Sequence, residues 1–176
     1  AWSSGIQLFD VSFPEGPSGV SGIDTPDRAP GLCVSGNHAY IADEDAGLQI
    51  VDITDPTAPT IAGSLDTPGR AYRVGVDGAV AYVADGGHGL RLVDVADPSS
   101  PMVICNYYGI DFAAMITIVD NIAYITDFAE GLHIVDVSDP TGPIYITSYP
   151  VSGTLMQVTV IVTLGYLVSS GEGMSI

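Results

Sequence analysis

The amino-acid sequence predicts an all-β fold: a β-propeller of four-stranded antiparallel blades, with about four blades, or a segment of a larger propeller. Three observations predict it. A 42-residue pattern repeats without insertions, its short runs are rich in Val, Ile and Tyr, and clusters of Gly, Pro, Asp and Asn separate those runs. No stretch has the periodicity of a helix. We expect a single domain over residues 1–176.

The repeat is marked by a glycine that returns every 42 residues. These glycines are Gly5, Gly47, Gly89, Gly131 and Gly173. Similar apolar segments follow three of them, at Gly47–Ile53, Gly89–Val95 and Gly131–Val137. An Asp-Pro pair and an Ala-Tyr block keep the same spacing in three copies each, while the first copy has Phe13 in place of the Asp and the last has Gly165 in place of the Ala. Three blocks that stay in phase over four periods indicate one structural unit per repeat.

Each repeat contains four predicted strands. In the second copy they cover residues 31–35, 38–43, 47–53 and 60–66. The Gly36-Asn37 pair joins the first two as a tight hairpin, because such residues tolerate positive φ. An Asp-Pro-x-x-Pro segment separates the last two, since proline cannot donate to a β-ladder. Apolar residues point to both faces of the third strand, as expected if blades stack face to face.

The segment Gly47–Pro56, which reads GLQIVDITDP, and its copies resemble the LVIVD-repeat family. The resemblance covers essentially the whole chain. It implies a β-propeller of a kind found mainly in secreted or surface-exposed proteins, often within larger chains. It brings no established catalytic residues to this sequence.

The charge of the chain limits its partners. Asp and Glu number 21 against four basic residues, all arginine, and the net charge is −17. Such a surface repels phosphate backbones, so we expect no binding of nucleic acid, and anionic lipid is disfavoured. No apolar run is long enough for a membrane-spanning helix. Divalent cations and basic partners remain compatible with this charge, and so does simple solubility.

Several repeated residues are predicted to serve the scaffold. Tyrosines at one position are expected to pack between blades, and aspartates at another to accept hydrogen bonds from the following turn while buried in the strand. These residues are Tyr40, Tyr82, Tyr124 and Tyr166, and Asp10, Asp52, Asp94 and Asp136. The position shared by Gln7, Gln49, Arg91 and His133 is predicted to be solvated, with no metal site. Cys33 and Cys105 fall in different blades, and no disulfide is expected.

The better functional candidates lie on one rim, where the loop between the second and third strands meets the connection between blades. Charged, variable loops of this kind commonly carry binding sites. The candidate residues are Asp43, Glu44, Asp45, Asp85, His88, Asp127, Glu130, Arg28 and Arg70. Asp43, Glu44 and Asp45 offer oxygens to Ca²⁺, although no calcium-loop motif is present. We otherwise expect no cofactor.

The leading functional hypothesis is a non-enzymatic extracellular or cell-surface module for protein interaction, adhesion or self-assembly, because no catalytic motif is present. One alternative is a propeller that binds carbohydrate or calcium at its rim. Another is an enzyme with an active site at the rim or channel, where Arg28, Arg70 and Arg73 bind an anionic group or merely neutralise nearby aspartates.

Self-association is also expected from the predicted strands at the two ends. Strands near 5–11 and 17–24 form the second half of a blade, and strands near 156–161 and 165–169 form the first half. Pairing the two halves would cover bare strand edges. The pairing can occur within one chain or between chains, as a ring or a filament. Contact between chains, or continuation into flanking sequence, is favoured because the short segment 173–176 competes with 5–11 for one place.

Overall fold

The computed structural model describes the whole chain except residues 1–4, 129, 152–154, 162–163, 171–172 and 176. Its strands in chain order are β1 (Ile6–Asp10), β2 (Ser18–Ile23), β3 (Gly31–Ser35), β4 (His38–Ala42), β5 (Leu48–Asp52), β6 (Thr60–Leu65), β7 (Arg73–Asp77), β8 (Val80–Ala84), β9 (Leu90–Asp94), β10 (Met102–Tyr107), β11 (Ala113–Val119), β12 (Ile122–Asp127), β13 (Gly131–Asp136), β14 (Ile144–Tyr149), β15 (Leu155–Ile161), β16 (Leu164–Ser169) and β17 (Gly173–Ser175). The all-β prediction is therefore confirmed.

The described strands form five antiparallel sheets in which each strand pairs with its neighbour in sequence. Sheet I contains β1–β2, sheet II β3–β6, sheet III β7–β10, sheet IV β11–β14 and sheet V β15–β17. The four strands of sheet II agree with the predicted ones to within one residue at each end. Hairpin turns lie where the sequence places them, and Asp120 and Asn121 both adopt positive φ, at 50° and 62°.

The sheets stack in series, with their first strands side by side. Strand β7 contacts β3 on one side and β11 on the other, and β11 also contacts β15. A core cluster between sheets II and III joins Tyr40 and Ile50 to Val74 and Val83. A second cluster joins sheets III and IV. Both faces of an inner sheet are thus buried, as predicted, and each fully buried Leu, Ile or Val stabilises the stack by about 1.5–3 kcal/mol.

The described strands do not close into a ring. Strands β1 and β2 pair only with each other, and β16 pairs with β15 and β17. The place beside β16 that a closed monomer would give to β1 is therefore taken by β17, through Val168 and Met174. The arrangement is a β-propeller-like series of sheets. Within the described ranges, no helix is long and apolar enough to cross a membrane.

The scaffold residues behave largely as predicted. Tyr40 and Tyr82 are buried between sheets. Asp52 accepts a hydrogen bond from the backbone N–H of Thr54, as expected for the following turn. The expected burial of this aspartate position is wrong, because Asp94 is exposed and Asp52 only half-buried at the end of its strand. Both cysteines are free and half-buried, in different sheets.

Candidate binding site on one rim of the sheets

Neighbouring sheets are joined at the rim predicted from the sequence. The loop after β4 pairs with the connection into β7 through a bridge between Glu44 and Ala71, with N···O distances of 3.1 and 3.2 Å. The loop after β8 pairs in the same way with the connection into β11, through Gly86 and Ala113. A residue in one of these loops therefore faces residues of the next sheet.

Three of the predicted rim acids are structural. Asp43, Asp85 and Asp127 are at most 1% exposed, so placing them on an open binding face was wrong. Their carboxylates accept hydrogen bonds from the connection that lies over them. The N–H of Asp27 donates to Asp43 at 3.1 Å, and the N–H of Phe112 donates to Asp127 at 2.7 Å. A buried carboxylate must be satisfied in this way, and it then fixes the connection.

Asp85 also has an ionic partner. It accepts a hydrogen bond from the N–H of Gly69 at 3.2 Å and from Nη2 of Arg91 at 3.4 Å. The side chains of Arg91 and Asp85 are 6% and 0% exposed. This pair is the buried ion pair among the described residues, and each charge depends on the other for compensation.

The position of Arg91 is buried in all three inner sheets, so the prediction that it is solvated was wrong. Gln49 and His133 occupy it in the neighbouring sheets, and both are nearly inaccessible to solvent. The third strand of each sheet is covered on both faces by stacking, which the polarity of one side chain does not reveal. The polar ends of Gln49 and His133 reach the loop that precedes the strand. Gln49 donates to the carbonyl of Ala46 at 2.7 Å, and His133 Nε2 lies 3.3 Å from the carboxylate of Glu130.

Two equivalent rim positions change character from sheet to sheet. In sheet II they hold Arg28 and Glu44, whose charged groups are 4.0 Å apart. In sheet IV they hold Phe112 and Phe128, which stack with ring centroids 4.9 Å apart and an interplanar angle of 21°. In sheet III they hold Arg70 and Gly86, so the position paired with Arg70 in its own repeat carries no side chain.

Arg70 turns instead to the preceding sheet. Its Nε and Nη2 donate to the two carboxylate oxygens of Asp45 at 2.9 and 3.3 Å, and Nη1 lies 4.0 Å from Glu44. The hydrogen bonds and charge of Asp45, with the charge of Glu44, raise the pKa of the Arg70 guanidinium. The two side chains are 54% and 63% exposed, so the paired guanidinium and carboxylate present a planar polar surface to solvent.

The missing side chain at Gly86 opens a cleft of about 280 Å³ beside this ion pair. A Cβ at Gly86 would lie 3.1 Å from the ring of Tyr72. Phe112 also lines the cleft, and its ring centroid is 5.4 Å from that of Tyr72. The cleft is lined by Asp45, Pro68, Gly69, Arg70, Tyr72, Gly86, Gly87, His88 and Phe112.

The structure thus brings together some of the predicted rim residues and separates others. Asp45, Arg70 and His88 share the cleft, while Arg28 and Glu44 form the adjoining ion pair and Glu130 turns to His133. Tyr72 and Phe128 were missed. Comparison of repeat positions carries a signal for both, because Pro30 and Ala114 stand where Tyr72 does, and Glu44 and Gly86 where Phe128 does.

The three arginines considered for an anion site do not converge. Arg73 lies on β7 among the adjacent first strands, where Nη1 donates to the carbonyl of Pro30 at 2.8 Å and Nε to the sulfur of Met115 at 3.2 Å. It braces neighbouring sheets rather than lining the rim cleft. In the part of the chain that the structure describes, no group of three or more His, Cys, Asp and Glu is placed to hold a metal ion.

Comparison with known proteins identifies the repeat. The family model described as "LVIVD repeat" matches residues 28–67, 68–108 and 112–151, which together exceed half of the chain. The chain belongs to the LVIVD repeat family. Each match contains one four-stranded sheet, from the connection before its first strand to its fourth strand. A search of curated proteins finds no match to this LVIVD-repeat chain.

Solved structures share the fold at very low sequence identity. The crystal structure of the computationally designed Ika4 protein is similar with a TM-score of 0.72 and 6% identity, over 86% of this chain and 91% of that one. The computationally designed Ika8 protein is similar with a TM-score of 0.78 and 7% identity, over 99% of this chain. The LVIVD-repeat chain spans about half of the Ika8 chain, 52% of its length. At these identities the likeness concerns the fold alone.

Proposed function

We propose that this LVIVD-repeat chain is a non-catalytic interaction module outside the cell or at its surface, which assembles with further copies of itself. In this proposal its sheets are blades of a β-propeller, and consecutive copies continue the stack. The observation that carries the proposal is a pair of exposed apolar faces, one on β3 and one on β16, whose equivalents inside the stack are covered.

The first face belongs to β3. Leu32 and Val34 are 50% and 56% exposed. The residue equivalent to Leu32 on β7 is Val74, which is 5% exposed because it packs in a core cluster with Tyr40 and Ala42 of the preceding sheet. A first strand is therefore normally covered by the tyrosine-bearing face of the sheet before it. Leaving two such side chains in water has a free-energy cost that burial removes.

The second face is of the kind that covers such strands. Leu164 and Val168 on β16 are 51% and 43% exposed, and Tyr166 between them stands at the position of Tyr40. This face of sheet V is therefore the natural cover for β3 of another copy. The contact joins two different surfaces and is head to tail, so it either closes into a ring or continues as a filament.

Light scattering after size-exclusion chromatography tests the assembly. We expect the protein to associate as its concentration rises, and both Leu32→Glu and Val168→Glu to be monomeric. Met102→Glu, at a 65% exposed position on the outer strand β10, is the matched control and leaves association unchanged. Leu32→Glu keeps its β16 face intact, and Val168→Glu keeps its β3 face intact. When the two variants are mixed, these two faces can pair once, so we expect a dimer and no larger assembly. A monomeric wild-type protein, or a mixture that stays monomeric, would contradict the proposal.

A non-catalytic role is supported by how the carboxylates are used. The repeated rim acids hold backbone connections, and Asp45 is paired with Arg70, so the acids a reaction would need are already engaged. The same engagement weighs against the calcium alternative, whose proposed ligands were Asp43, Glu44 and Asp45, because Glu44 also lies 4.0 Å from Arg28 and from Arg70. Turnover of a hydrolase or lyase substrate that is lost in Arg70→Ala would overturn the non-catalytic role. Labelling of intact source cells with an antibody against the chain tests the proposed location.

A further inference from the structure

We propose that the rim cleft between Phe112 and the Arg70–Asp45 ion pair binds a pyranose ring of a neutral glycan. This inference does not depend on self-assembly, because the cleft lies on the rim and the assembly faces lie at the two ends of the stack. It rests on four properties of the cleft: an aromatic wall, a polar wall with paired charges, a floor without side chains, and the charge around it.

The aromatic wall is rigid and is formed by Phe112 together with Tyr72, which both line the cleft. Phe128 stacks on one face of Phe112 at 4.9 Å, and Tyr72 is tilted by 47° at 5.4 Å, so the half-buried ring of Phe112 has little freedom to reorient. An aromatic face is an apolar plane with negative potential, which suits the weakly positive C–H groups on one face of a sugar ring. A single ring clamped by two neighbours is better suited to stacking than an isolated mobile side chain, because less entropy is lost on binding.

The polar wall offers donors and acceptors together. Asp45 accepts from two of the five N–H groups of Arg70, and Tyr72 also forms a hydrogen bond with this guanidinium, which leaves further N–H groups for a ligand. The Asp45 carboxylate retains acceptor capacity on the same plane. Neighbouring hydroxyl groups of a sugar each donate and accept, so they match a paired guanidinium and carboxylate. His88 adds an imidazole ring to the lining of the cleft.

Among the three inner sheets, only the loop of sheet III provides a floor without side chains. Gly86 and Gly87 stand where Glu44 and Asp45 stand in sheet II, and Phe128 fills the first of these positions in sheet IV. A Cβ at Gly87 would have no neighbour closer than the carbonyl oxygen of Asp111 at 4.0 Å. Within the described sheets, the departure from the repeat at Gly86 and Gly87 therefore creates one site rather than a ring of equivalent sites.

The charge around the cleft favours a neutral ligand. The chain carries a net charge of −17, which repels phosphorylated, sulfated or carboxylated glycans. The positive charge of Arg70 is offset by Asp45 and Glu44, so it does not attract an anion as a free arginine would. A lysine-bearing peptide is the competing ligand class, because it would gain from the acidic surface and from the aromatic face.

Saturation-transfer NMR with a panel of methyl pyranosides (glucoside, galactoside, mannoside and N-acetylglucosaminide) and their neutral oligosaccharides tests the site. We expect at least one sugar to bind, with transfer strongest to the ring protons of one face. Gly87→Asp installs the residue found at the equivalent Asp45 and fills the cleft, and Phe112→Arg installs the residue found at Arg28 and Arg70. Each is expected to weaken binding about tenfold or more. Ser100→Asp adds the same charge to an exposed turn between β9 and β10 and leaves binding unchanged.

The two ligand classes respond to Gly87→Asp in opposite ways. The added carboxylate blocks a sugar but attracts an amine, so a peptide of alternating lysine and glycine is measured beside the sugars. If the sugars are silent, or if they bind Gly87→Asp as well as the wild type, the inference is overturned. Peptide binding that tightens in Gly87→Asp while the sugars are silent overturns it in favour of a basic partner. Light scattering of Gly87→Asp is expected to match the wild type, which keeps this result separate from the assembly proposal.

Discussion

Replacing Asp85 by Ala is expected to destabilise the protein more than the same change at the equivalent Asp43. Both carboxylates are fully buried, and both hold the connection that lies over them. Only Asp85 also compensates a buried cation, Arg91, at 3.4 Å. At the position of Arg91, sheet II has Gln49, a neutral side chain that bonds to the carbonyl of Ala46 instead.

The two costs follow from these partners. Asp43→Ala removes hydrogen bonds from the Thr25 hydroxyl at 2.6 Å and the Asp27 N–H at 3.1 Å, for a loss of about 1.5–3 kcal/mol. Asp85→Ala leaves Arg91 buried without a counter-charge, which costs about 3–5 kcal/mol. Arg91→Gln in the Asp85→Ala background removes the unpaired charge and supplies the residue that sheet II uses. The double variant should therefore regain about 1–3 kcal/mol relative to Asp85→Ala alone.

Urea unfolding followed by circular dichroism measures these free energies, with the denaturant slope checked for each variant. The double-mutant cycle needs the wild type, Asp85→Ala, Arg91→Gln and the combination of both. If Asp85→Ala costs less than about 1 kcal/mol, or if the double variant is no more stable than Asp85→Ala, the buried pair does not have the role assigned to it. Nearly equal losses of unfolding free energy for Asp43→Ala and Asp85→Ala would also contradict this role.

Two further predictions concern the turns. In thermal unfolding, Gly89→Ala is expected to lower the stability more than Gly36→Ala does. Both glycines have positive φ, at 76° and 56°, but an added Cβ would meet open space at Gly36, whereas at Gly89 it would overlap the carbonyl oxygen of Tyr107. Equal losses would mean that backbone strain alone decides the cost. The second prediction concerns Asp55, Asp97 and Asp139, whose pKa values are held below 3.8 by hydrogen bonds from the hydroxyl and then the N–H two residues on. Because the folded state binds fewer protons there, their stabilisation is present above about pH 4 and is lost as pH falls through the lowered pKa values. Replacing all three by Asn should flatten the acid limb of the stability curve, and an unchanged limb would refute this.

The strands were predictable because their signals are local. Proline and glycine end each strand through backbone chemistry, and alternating apolar residues mark both faces, so sheet II agrees with the sequence to within one residue. Burial of Gln49, Arg91 and His133 was not predictable from their polarity. It is set by two sheets that stack over the third strand and by a loop that supplies polar partners, and both are tertiary effects.

The rim was half predictable for a related reason. Asp43, Asp85 and Asp127 were expected on an open face because loops commonly carry binding groups. Yet they recur in every inner repeat, and a residue that recurs while its neighbours vary serves the repeat itself, as Tyr40 and Tyr82 do. The cleft was missed because Gly86 and Gly87 look like an ordinary turn. Their importance depends on the next connection, which brings Phe112 over them.

The junction between sheets explains why departures from the repeat are where recognition is expected. The rim loops after β4 and β8 each pair with the start of the next sheet, so a change in one of these repeats alters a surface shared by two sheets. The proposed sugar site draws Asp45 from sheet II, Tyr72 from the connection into sheet III and Phe112 from the connection into sheet IV. The buried aspartates fix the spacing of these elements, and glycine in the middle loop leaves them apart. A repeat of this kind can thus vary its ligand by exchanging a few loop residues, while the side chains that stack its sheets remain unchanged.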